Sequence, residues 1–108
     1  MNFVKMQGIG NDYVYVDCFK ETVTDPAATA RLISNRHYGI GSDGLILLSL
    51  SSVADCKMDI YNSDGSRAEM CGNGIRCVGK YLWDNGYVNA PMASVETLCG
   101  IKYLALLI

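Results

Sequence analysis

Apolar and polar positions alternate along short stretches of this chain and switch to a helical period twice. Phe3 to Met6 and Tyr13 to Cys18 read as strands, separated by the glycine-rich turn Gly8-Ile9-Gly10-Asn11-Asp12. Asp25 before Pro26 is an N-cap followed by proline at the first helical position, opening a helix through about Asn35. Gly44 to Leu50 is a short apolar run, the pattern of a buried strand, and Lys57 to Tyr61 is a further strand with Met58 and Ile60 on one face. The strongest helix runs from Gly72 to Asn85. Ile75, Val78, Gly79 and Leu82 recur at i, i+3, i+4 and i+7, and Asn85-Gly86 supplies the stop. Cys77, Tyr81 and Trp83 lie off that stripe, so this helix is expected to be enclosed on more than one side. Ala93 to Leu98 and Ile101 to Leu106 read as a hairpin around Cys99-Gly100.

These elements add up to an α+β fold, mostly antiparallel strands wrapped around one central helix. Leu104 to Ile108 loses the alternation of an exposed strand and carries no polar residue, so this edge is expected to need a partner, as in a piece of something larger. Gly39-Ile40-Gly41-Ser42-Asp43-Gly44 matches the dinucleotide-binding GxGxxG letter for letter, but that site needs a strand before the glycines and a helix after them. Here the order is helix, glycines, strand. The segment reads as a tight turn that needs positive φ.

The chain has 108 residues, half of them hydrophobic and 19% charged, which suits one folded domain. Its formal net charge is -2, with no lysine or arginine cluster, so the expectation is no nucleic acid and no anionic membrane surface as partner. The first dozen residues hold no apolar run that reads as a leader, and no stretch approaches the ~20 apolar residues of a spanning helix. Cys18, Cys56, Cys71, Cys77 and Cys99 are odd in number and form no CxxC pair, which fits reduced thiols in a cytoplasm. Cys71 and Cys77 lie about 600° apart around a helix axis, and the chain has a single histidine, so no metal site is expected.

The chemistry concentrates between Asn62 and Cys77. A polar, glycine-bearing turn leads to Cys71, and Cys71 is followed at once by a helix N-terminus, whose unpaired backbone N–H groups favour negative charge. That field lowers the pKa of an adjacent thiol and can hold a carboxylate. Glycine is a weak helix former, so Gly72 and Gly74 in a first turn imply a close approach by a ligand or by other backbone. Asn11 and Asn62, each beside a strand and a turn, are turn residues whose amides could also hold a polar substrate. His37 reads as a loop or cap residue, and Cys18, Cys56, Cys77 and Cys99 as small apolar core residues.

Three ordered stretches resemble the diaminopimelate epimerase family: Phe3 to Tyr13, Asn35 to Ile46, and Asn62 to Cys77. Asn73 stands where the related proline and hydroxyproline racemases typically carry histidine. The resemblance implies a cofactor-free interconversion of L,L- and meso-diaminopimelate, with a small-molecule substrate bound between two similar lobes. One cysteine from each lobe faces the substrate α-carbon, and helix N-termini hold the α-carboxylate. Carried over by motif, Cys71 is the first-lobe acid/base, Gly72 and Asn73 offer N–H groups to the carboxylate, and Asn11 and Asn62 contact the substrate. The family often has glutamine where Gly44 stands. The resemblance covers only the first lobe, residues 1–108, and the second cysteine is expected to come from the absent lobe or from Cys71 of a second copy in a homodimer. A lobe that kept the fold and lost catalysis, or a proline-type racemase on the same scaffold, are the competing expectations.

Overall fold

A computed structural model describes residues 4–8, 11–35, 41–68 and 72–105, with side chains described for 13–35, 41–68 and 75–105. The elements in chain order are β1 (Val4–Gly8), β2 (Asn11–Asp17), α1 (Pro26–Ser34), β3 (Gly44–Ser49), β4 (Cys56–Asn62), β5 (Arg67–Ala68), α2 (Gly72–Asp84), β6 (Met92–Thr97) and β7 (Gly100–Ala105). The strands form one sheet in the order β1-β2-β3-β4-β6-β7, with β5 paired to β4.

Four ladders are antiparallel: β1 with β2, β3 with β4, β4 with β5 and β6 with β7. Two are parallel, β2 with β3 and β4 with β6. Parallel neighbours need a long crossover, and here α1 serves the first pair and α2 the second.

Period-two alternation assigns each helix its own face of the sheet. Val14, Val16, Leu45 and Leu47 point to one side and bury Ala30 and Ile33 of α1. Tyr13, Tyr15, Ile46 and Leu48 point to the other and pack with Ile75, Val78 and Leu82 of α2. Met58, Ile60, Ala93 and Val95 from β4 and β6, with Val88, complete the enclosure of α2. Cys77, Tyr81 and Trp83 are half-buried against the same cluster, as their positions off the apolar stripe implied. β3 is covered on both faces, which is why it reads as an unbroken apolar run rather than an alternating one.

Both helices end as their sequences dictate. Asp25 caps α1, its carboxylate accepting from the backbone N–H of Ala28 at 3.1 Å. At the end of α2, Asn85 donates through both its backbone N–H and its side-chain amide to the carbonyl of Tyr81, and Gly86 N–H reaches that of Trp83. Gly41 has φ of 75° and lies between α1 and β3, the helix, glycine, strand order read from the sequence.

Four features depart from expectation. Gly8, Asn11 and Asp12, read as part of a turn, belong to the paired strands β1 and β2. β5 is only two residues long, too short for its alternation to register. α1 covers a second sheet face that the picture of a single central helix left open. Cys99 is exposed at the β6–β7 turn, where no core is within reach, whereas Cys56 is buried and Cys18 and Cys77 are half-buried. His37 and residues 106–108 lie outside the described residues.

Candidate functional site

Asn11 is the first residue of β2, and Asn62 is the last residue of β4. β3 lies between these strands. Gly44 opens it, paired to Tyr13 on one side and to Asn62 on the other. Asn11 and Asn62 therefore share one end of the sheet, two strand spacings (about 10 Å) across β3 and offset by two residues along it, since Asn62 is level with Tyr13.

Gly44 is required there by close approach. A β-carbon at this position would collide with the carbonyl oxygen of Tyr61 and lie 3.2 Å from the ring of Tyr13. The strand pair is closed against a side chain, so residue 44 can offer a ligand only its backbone.

Asn62 opens a tight turn to β5. Its backbone N–H donates to the carbonyl of Ser66 at 2.8 Å, and Gly65 N–H donates to the Asn62 carbonyl at 2.9 Å. Gly65 has φ of 88°, which an L side chain rarely adopts, and its α-carbon faces Arg31 and the Ala27 carbonyl of α1. Asp64 Oδ1 accepts from the Ser66 hydroxyl at 2.6 Å and from its backbone N–H at 2.9 Å. These bonds hold the Asp64 carboxyl below its ordinary pKa, with Arg31 adding a smaller contribution. The same hydroxyl oxygen accepts from Asn62 Nδ2 at 3.1 Å. The Asn62 amide is thus oriented by one hydrogen bond, while among the described residues its carbonyl oxygen accepts none.

α2 begins at Gly72, the residue after Cys71, so the helix N-terminus lies where the sequence located it. Gly72 and Asn73 occupy its first turn, which carries no acidic residue to compete for its N–H groups. Cys71 itself lies outside the described residues. Burial raises the thiol pKa of Cys18, helped by Asp17 and Glu21, and pushes Cys56 up to about 12, helped by Asp55. Both are held as inert thiols.

A polar cluster that the sequence did not announce anchors the other end of α2. Asp17, the last residue of β2, accepts on Oδ2 from the hydroxyls of Tyr81 at 2.9 Å and Tyr87 at 2.5 Å, and on Oδ1 from Phe19 N–H at 2.9 Å. The Tyr87 ring stacks on Phe19 with centroids 4.5 Å apart. Tyr81 and Tyr87 lie 64 and 70 residues from Asp17, too far for any local pattern to signal the contact. Among the described residues no group of three or more histidine, cysteine or acidic side chains could hold a metal ion, and no helix is long and apolar enough to cross a membrane.

Solved structures share this architecture at low sequence identity. A PhzF-family phenazine biosynthesis protein of Bacillus anthracis superimposes with a TM-score of 0.70 at 20% identity, over 95% of this chain and 33% of that one. A hydroxyproline epimerase of Agrobacterium vitis, solved with trans-4-hydroxy-L-proline, gives a TM-score of 0.70 at 18% identity, over 94% and 35%. Such identities establish the fold alone.

Sequence relatives are nearer. A diaminopimelate epimerase of Acetivibrio thermocellus is 60% identical over 106 residues, which are 98% of this chain and 38% of that protein. One of Agathobacter rectalis is 58% identical, over 98% and 37%. The chain spans under two fifths of the length of these two relatives. The sequence model of the family described as diaminopimelate epimerase matches residues 3–106, nearly the whole chain, and the chain belongs to that family.

Proposed function

We propose that this chain supplies one half of the site of a cofactor-independent epimerase that interconverts L,L- and meso-diaminopimelate in the cytoplasm, on the route to lysine and peptidoglycan. The observation that carries the reading is the start of α2 at Gly72, directly after Cys71, in a chain of this family. The Cys71 thiolate takes the proton from the substrate α-carbon, and the electron pair left on carbon delocalises into the α-carboxylate. A second thiol on the opposite face returns a proton to that carbon, so the centre inverts and the charge passes from one sulfur to the other. The N–H groups of Gly72 and Asn73 face the carboxylate as charge develops on it. Asn11 and Asn62 hold the polar ends of the substrate. The second thiol belongs to a second lobe, as the relatives' greater length suggests, or to Cys71 of another copy.

The test is α-proton exchange of diaminopimelate in heavy water, followed by NMR, with the 108-residue chain and a Cys71→Ala control. Exchange that depends on Cys71 supports proton abstraction by this lobe. Folded protein without exchange would favour a lobe that catalyses nothing alone. Exchange of proline but not of diaminopimelate would replace the substrate assignment, against the evidence of Asn73.

A further inference from the structure

β2 and α2 each carry candidate site residues at one end and a shared anchor near the other. β2 runs from Asn11 to Asp17, about 20 Å. α2 carries Gly72 and Asn73 in its first turn and Tyr81 nine residues on, about 14 Å along its axis. The helix packs along both β1 and β2, and β1 pairs with β2 through Gly8 opposite Asn11. Its apolar contacts, Ile75, Val78 and Leu82 against the sheet, fix how deep it sits. Apolar contact is non-directional and leaves sliding and tilt weakly determined. A directional restraint comes from the Asp17 carboxylate, which holds Tyr81 on α2 and Tyr87 just beyond it through one oxygen.

We propose that Asp17 is a positioning residue, acting through Tyr81 and Tyr87 to set α2 against β2 so that the Gly72-Asn73 amides and Asn11 meet one substrate. The proposal rests on the assignment of those residues as the site under the proposed function. Two rigid rods pinned at one end transmit a small rotation as a larger displacement at the other. A misplacement of about 1 Å at a reacting centre can cost up to a hundredfold in rate. The second oxygen of Asp17, bound to Phe19 N–H, fixes the carboxylate plane, and the Phe19–Tyr87 stack fixes the loop after α2. Every polar bond of the clasp therefore has a defined direction.

The test uses the 108-residue chain and needs no ligand for its first readout. Residual dipolar couplings of β2 and α2 amides give the angle between the two elements. In Tyr81→Phe/Tyr87→Phe both rings remain, including the stack on Phe19, and only the hydroxyls are lost. With the circular dichroism unchanged, the angle is expected to differ from that of the unsubstituted chain. Diaminopimelate, titrated by NMR at the Asn11, Gly72 and Asn73 amides, is expected to bind about tenfold more weakly. Asp17→Asn keeps one amide oxygen under both hydroxyls but sets its Nδ2–H against Phe19 N–H, so its angle and its affinity should both fall between those of the double variant and the unsubstituted chain, a graded pairing that a loss of stability alone would not predict. Should the double variant fail to fold, Tyr87→Phe alone gives the same readouts. An unchanged angle would overturn the proposal, as would a changed angle with undiminished binding. Failure of the unsubstituted chain to bind diaminopimelate would count against the proposed function, and the couplings would still decide the role of Asp17.

Discussion

The carbonyl oxygen of Tyr61 stands where a β-carbon on Gly44 would have to be. Gly44 is paired with Asn62 on β4 and Tyr13 on β2, so backbone surrounds it on both sides and has no room to give. Gly44→Ala should destabilise the fold by about 3 kcal/mol, through displacement of strands rather than loss of any contact. Urea unfolding checks this. An alanine variant as stable as the parent would mean that β3 and β4 can part without cost.

Alkaline pH should weaken the fold through four acidic groups that stay protonated longer when folded, Cys18 and three with larger shifts. Burial, then Asp55, lifts the Cys56 thiol from 9.0 to about 12. Burial, then Asp17, lifts Tyr81 from 10.0 to about 12, and the hydrogen bond to Asp17, then burial, lifts Tyr87 equally. Between the unfolded and folded values the unfolded chain binds fewer protons, so stability falls as pH rises. It is fully present below about pH 9 and lost progressively towards pH 12. Urea midpoints measured from pH 8 upward should decline, and Tyr81→Phe/Tyr87→Phe should flatten the slope above about pH 10.

Leu82 is fully buried between α2 and the sheet. Leu82→Ala should cost about 3 kcal/mol, the transfer of the lost methyl and methylene groups plus the cavity left among Val78, Val88 and the strand side chains. Exposed Leu32 on α1, 66% accessible, should tolerate alanine within about 0.5 kcal/mol. Equal losses at the two positions would contradict the packing of α2 as the centre of the fold.

What the sequence disclosed follows the range over which each interaction acts. The Asp25-Pro26 cap, the α2 stripe and the Asn85-Gly86 stop depend on residues within a few positions of one another, and each appears where the pattern located it. Strand direction does not: Tyr13 pairs in parallel with Gly44, 31 residues away, and nothing in either strand records that orientation. The α1-facing residues Val14 and Val16 read only as alternation, without saying that a helix would cover them. Of the candidate site, the N-terminus of α2 after Cys71 was legible because glycines and a cysteine mark it locally. The Asp17 clasp was not, because no local pattern links a carboxylate to tyrosines 64 and 70 residues away until the fold brings them together.

Asn62 allows the structural and the functional roles of one residue to be separated. Its turn is held chiefly by backbone: its own N–H to the Ser66 carbonyl and its own carbonyl from Gly65 N–H. The side chain adds a single exposed bond to the Ser66 hydroxyl. Asn62→Ala should therefore cost no more than about 1 kcal/mol of stability. If the amide oxygen contacts the substrate's charged groups, the same change should weaken diaminopimelate binding by about tenfold or more. Urea unfolding and an NMR titration on the same samples give both numbers. Loss of binding with stability intact assigns the amide to the site, whereas loss of stability with binding intact would return Asn62 to the turn and remove it from the substrate's path.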